Sequence, residues 1–144
     1  MVFLRGILGF VLFLVLIVVP SAGLADDRGP QLFEVSAETC EGRKPASIDT
    51  ASLREDQVWL PHSENNPRIQ PGDAVRIASS AANRESLLPG TPSVNMIKLV
   101  PCTKGWVYVV TLSKLHRCSE ASELQHLSAG IVVLMNGDSI VPLE

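Results

Sequence analysis

Two apolar runs, 131–135 (IVVLM) and 138–143 (DSIVPL), flank Asn136-Gly137, and no other feature constrains the fold as strongly. A type I′ turn needs positive φ at both central residues, and Asn and Gly tolerate it best. A two-residue loop sets Met135 opposite Asp138, Leu134 opposite Ser139, Val133 opposite Ile140 and Val132 opposite Val141. Apolar pairs then fall on both faces, so the hairpin is expected to be buried on both sides. Pro142 has no N–H to donate and belongs at an edge position. Just upstream, 94–100 (VNMIKLV) and 106–112 (WVYVVTL) are rich in residues that favour strands. They read as a second hairpin with a longer loop. Strict alternation puts Val94, Met96 and Lys98 on one face, with Asn95, Ile97 and Leu99 on the other.

The rest of the chain is punctuated by turn residues. Residues 31–37 (QLFEVSA) mostly alternate and suggest a first strand. Residues 38–45 are polar and read as a loop holding Cys40. Asp49 or Thr50 is placed to cap a short helix ending near Asp56. A short strand is expected over 57–60, followed by a loop with Pro61, Pro67 and Pro71. Pro71-Gly72-Asp73 is a turn signal, with a strand expected over 74–78 (AVRIA) and a short helix over 79–88. Ser122 and Gln125 have capping-box spacing for another short helix. The fragment from Arg68 to Ile77 (RIQPGDAVRI) resembles the strand-turn-strand of polysaccharide-export and other envelope β-domains. That resemblance covers ten residues and implies local β structure. The pattern as a whole predicts a mainly β domain over 31–144, a small sandwich or partly open barrel with one or two short helices. An α+β arrangement is the alternative.

The N-terminus predicts where this domain works. Residues 6–19 (GILGFVLFLVLIVV) are uncharged and apolar, follow Arg5, and end in Pro20-Ser21 and the small-residue stretch Ala22-Gly23-Leu24-Ala25. This is the order of a secretory signal peptide, read here as 1–25 with the cut after Ala25 and a flexible tail over 26–30. The alternative is an uncleaved anchor, but a 14-residue helix spans only about 21 Å of a ~30 Å hydrocarbon core. The expected location is therefore exported, periplasmic or secreted, with membrane attachment only if the leader is retained. Without the leader the chain carries 11 basic and 15 acidic residues, and its aromatics are Phe33, Trp59, Trp106 and Tyr108. That balance lacks the positive field of a nucleic-acid binder. It also lacks the rings of a base- or sugar-stacking platform.

In an oxidising compartment cysteines are disulfide candidates first. Of Cys40, Cys102 and Cys118, the expected bridge is Cys102–Cys118, which requires the segment after Leu112 to fold back. Cys40 with either partner is the alternative. The sharper chemical hypothesis is a copper or zinc site on His116, Cys118 and His126, completed by Cys102 or Met135, since thiolate and imidazole suit those metals. His62 lies in the Pro-rich loop and reads as solvated. No serine stands in a G-x-S-x-G elbow, and Glu120 and Glu123 read as solvated helix flanks rather than a catalytic pair. The expected function is thus an exported, non-catalytic binding or assembly module of the cell envelope, with no cofactor and with another envelope protein as partner. A periplasmic metal-binding protein is the alternative.

Overall fold

The computed structural model describes residues 32–119 and 121–143. The expected leader over 1–25 and the tail over 26–30 lie outside the described residues. In chain order come β1 (Leu32–Thr39), β2 (Gly42–Asp49), two 3-10 turns (Thr50–Ser52 and Glu55–Gln57), α1 (Pro71–Arg84), β3 (Ser93–Pro101), β4 (Trp106–His116), β5 (Gln125–Val133) and β6 (Ser139–Ile140). Every strand pair is antiparallel, in the order β2-β1-β5-β4-β3, with β6 also beside β5. β1 and β6 share one side of β5: β1 meets it at Ala129 and Ser128, β6 at Val132 and Val133. The fold is mainly β, as expected, and takes the form of one open sheet that does not close into a barrel.

The sheet buries both faces of its centre. On one face Tyr108, Val110 and Leu112 of β4 join Leu127, Ala129, Ile131 and Val133 of β5. α1 covers them with Ala74, Ala78, Ala81 and Ala82, a small-residue stripe at helical spacing that lets the helix lie close to the strands. On the other face Val107, Val109 and Val132 pack with Val35, Ile48, Leu53 and Val58. The turns carrying Leu53 and Val58 are pinned to the β3–β4 loop. Thr50 is buried, with its hydroxyl 2.8 Å from that of Thr103, and Lys104 Nζ donates to Leu53 O at 2.7 Å. Trp59 and Trp106 exchange two backbone hydrogen bonds. Gly105 permits this approach, because a Cβ there would stand 2.5 Å from Trp59 O.

Several local expectations are corrected. Pro71-Gly72-Asp73 opens α1 instead of turning into a strand: Pro71 occupies the start of the helix, where its missing N–H costs nothing. The strand expected over 74–78 is therefore helical, and the envelope-domain resemblance of 68–77 does not hold. Residues 42–49, read as partly loop, form β2 despite Pro45, which an edge strand tolerates. No helix starts at Ser122; Gln125 instead begins β5, opposite His116. Asn95 is an extra residue in β3, so Val94 pairs with Leu112 and Met96 with Thr111. Val94 thus faces with Ile97 and Leu99, not with Met96 and Lys98. Asp49 does cap a turn, accepting from Ala51 N at 3.0 Å, although only a single 3-10 turn follows.

The C-terminal hairpin forms, but one residue out of the expected register. Val132 pairs with Ile140 and Val133 with Ser139, while Leu134 N donates to Asp138 O. The loop has three residues, and only Gly137 takes a positive φ, of 91°. Met135 explains the shift. Its N–H donates to Gln57 O at 2.9 Å and its side chain is buried, so it is held by the protein interior and not by the hairpin ladder. The expectation of burial on both sides is met by Ile131, Val132, Val133 and Leu134.

Candidate functional site

The sequence places candidate chemistry on the cysteines and histidines. Cys40, in the β1–β2 turn, is bonded to Cys118, just beyond β4, with Cα atoms 5.5 Å apart. Cys102 is the free thiol, 3 % exposed, its Sγ donating to Gly105 O at 3.1 Å. This corrects the expected Cys102–Cys118 bridge. β4 does not fold back after Leu112 but runs on to His116, so Cys102 and Cys118 stand near opposite ends of a strand about 37 Å long. The metal trio is also not assembled. Cys118 is spent in the disulfide, His116 pairs with Gln125, and His126 pairs with Leu115. Paired residues in an antiparallel ladder share a face and neighbours alternate, so the two imidazoles project from opposite faces. Among the described residues no cluster of three metal-ligating side chains forms.

Two grooves are notable. One of about 560 Å³ lies between α1 and the β5–β6 hairpin, with Leu53, Ile77 and Leu134 beneath and Arg76 and Arg84 at its rim. Both arginines are already engaged: Arg76 with Asp73 at 2.8 Å, and Arg84 with Glu85 at 3.1 Å. A smaller groove of about 250 Å³ lies beside the cystine, where Glu41, Lys44, Glu85 and His116 meet. The Lys44 ammonium, 2.8 Å away, holds the Glu41 carboxyl below its ordinary value by hydrogen bond and charge.

The two edges of the sheet differ. A bare edge presents unpaired N–H and C=O groups that template pairing with another strand unless charges, proline or a bulge discourage it. β2, at one edge, is so defended. It carries Arg43, Lys44 and Pro45 in succession, with Arg43 3.6 Å from Glu38 and Lys44 paired to Glu41. β3, at the other edge, pairs only with β4 among the described residues. It is exposed from Ser93 to Lys98, with Val94 at 44 %, Met96 at 45 % and Ile97 at 36 %. Lys98 is its one charge. It has a bulge and a proline too, but these stand at its two ends, Asn95 and Pro101, and leave residues 96–100 as its regular stretch. Sequence reading identified this strand but not its position. Edge status follows from strand order, which local patterning does not encode.

Among the described residues no helix is long and apolar enough to cross a membrane. No protein-family model, curated protein or solved structure matches the chain.

Proposed function

We propose that this chain is an exported, non-catalytic binding or assembly module of the cell envelope, and that it engages its partner by adding a strand at the outer edge of β3. The observation that carries the reading is the asymmetry of the sheet: one edge has Arg43, Lys44 and Pro45 in succession, while the other presents Met96 and Ile97 with a single lysine between a bulge at Asn95 and Pro101 at its ends. In strand addition the main-chain hydrogen bonds supply affinity, while alternate side chains supply specificity. The Cys40–Cys118 bond supports an oxidising compartment, and the apolar leader supports export. With Cys118 bridged and His116 and His126 on opposite faces, the metal-binding alternative loses its ligand set.

Site-specific photo-crosslinking in the native cell tests this. A photoreactive residue replacing Met96 should yield a defined covalent adduct, whereas the same residue replacing Arg43 on β2 should yield none. Adducts from position 43, or from the α1 groove at Arg76, with none from position 96, would place the interaction elsewhere.

A further inference from the structure

We infer that Asn136 is a modification site, at which the side-chain amide is lost to give aspartate and isoaspartate, and that Asp138 holds this reaction back in the folded chain. The inference is independent of how the β3 edge is used.

Asn136 is the one asparagine of the chain that is followed by glycine; Asn65, Asn66, Asn83 and Asn95 precede Asn, Pro, Arg and Met. In the reaction the main-chain nitrogen of Gly137 bonds to Cγ of Asn136 and gives up its proton. The bond from Cγ to Nδ2 breaks, and ammonia departs with that proton. The product is a five-membered cyclic imide. Water then opens the ring at either carbonyl. Opening at one gives aspartate, and opening at the other routes the main chain through the side chain as isoaspartate. One water is consumed and one ammonia released, with no change of oxidation state. A glycine after the asparagine favours ring closure, because no Cβ obstructs the approach of its nitrogen. Solvent reaches the site: Asn136 is exposed, and a Cβ added at Gly137 would find no heavy atom within 4 Å.

The fold opposes this chemistry at three atoms. Gly137 N, the nucleophile, donates to Leu134 O at 3.0 Å, so its proton is engaged. Asn136 Oδ1 accepts from Asp138 N at 3.1 Å, and Asn136 Nδ2 donates to Asp138 Oδ2 at 2.7 Å. Those two contacts fix the plane of the amide, and ring closure needs that plane to turn toward the Gly137 nitrogen. The Asp138 carboxylate also acts by its charge. Attack places negative charge on the nitrogen and then on Oδ1, and a carboxylate at hydrogen-bond distance disfavours it. The loop itself is tied down, since Leu134 N donates to Asp138 O and Met135 N to Gln57 O.

Conversion would change the surroundings of the loop. It replaces the amide–carboxylate bond between Asn136 and Asp138 by two facing carboxylates, and isoaspartate also lengthens the main chain by one atom. Gly137 and Asp138 line the groove of about 560 Å³ that has Arg76 and Arg84 at its rim, so the new charge arises beside that groove.

Peptide mapping, by mass and by separation of the isoaspartyl form, tests this on the full purified protein aged at neutral pH in buffer and in urea. In urea the wild type should convert at Asn136 to both products. Folded, it should convert far more slowly. A hydrogen bond to a charged group is worth about one decade in rate, so folded Asp138→Ala should convert about tenfold faster than folded wild type. In urea the two chains should convert alike. The Leu134 amide, bonded to Asp138 O, should keep its hydrogen-exchange protection in the variant, which separates loss of the carboxylate from a loosened hairpin. Equal rates for the two folded chains, or a gain just as large in urea, overturn the role of Asp138. So does a faster rate accompanied by lost protection at Leu134. A wild type that stays intact in urea, or that converts as fast folded as unfolded, overturns the inference as a whole.

Discussion

Ser86 is the described non-glycine residue with a positive φ, at 54°. It ends α1: Leu87 N donates to Ala82 O and Ser86 N to Asn83 O, the paired bonds of a Schellman cap. A serine there carries the Cβ penalty that glycine avoids, of roughly 1 kcal/mol. Ser86→Gly should therefore raise stability by about 1 kcal/mol, read as a higher midpoint in urea with an unchanged slope. An unchanged or lower midpoint would show that the serine contributes something the backbone geometry does not reveal. Tyr108 gives a second residue-scale prediction. Its burial in the first core cluster raises its pKa above the ordinary 10.0 by desolvating the phenolate. Below that value the phenol is neutral in both folded and unfolded chains, so it adds no pH dependence. As pH rises past 10.0 the unfolded chain releases the proton first, which favours unfolding. Stability should thus fall above pH 10.0, and the phenolate absorbance of the folded protein should appear only at higher pH than in urea.

At the scale of elements, the disulfide ties the β1–β2 turn to the end of β4 across 78 residues of chain. Closing a loop of that length is worth about 4 kcal/mol in the chain-entropy model. Cys40→Ser should cost stability of that order, and thiol titration of the unreduced, unfolded wild type should find one free cysteine, Cys102. Finding three, or recovering a peptide that links Cys102, would contradict the connectivity. The elements also show where local sequence sufficed. β3 and β4 are legible because 94–100 and 106–112 carry β-branched residues that suit a packed strand, whereas of β5 only the end, Ile131 to Val133, is legible, its start at Gln125 carrying the spacing of a helix cap. β2 is not legible, because GRKPASID has an edge strand's composition, and its order comes from pairing with β1. α1 was half legible. Pro71-Gly72-Asp73 serves a turn or a helix start equally well, and only the sheet surface awaiting Ala74 and Ala78 decides between them. The hairpin register failed for a similar reason: the bond from Met135 N to Gln57 O comes from a segment 78 residues away, beyond any local turn rule.

Across the whole molecule three things bear on the proposed function: an apolar run over residues 6–19, a bridged pair of cysteines, and a sheet with two unequally defended edges. Of these the candidate site was the least visible in sequence. The cysteine and histidine spacing points to His116, Cys118 and His126, whereas the proposed site rests on the position of Met96 and Ile97 on the last strand of the sheet. Strand order is a property of the assembled chain, and neither hydrophobic pattern nor residue type records it. Amide hydrogen exchange resolved to single residues tests the use of that edge most directly, comparing the dilute chain with its assembled state. Assembly should slow exchange at Ile97 and Leu99, whose N–H groups point away from β4, and leave residues 43–49 of β2 unchanged. Protection that arises in β2, or along α1, while Ile97 and Leu99 exchange at the same rate in both states, would contradict strand addition at β3.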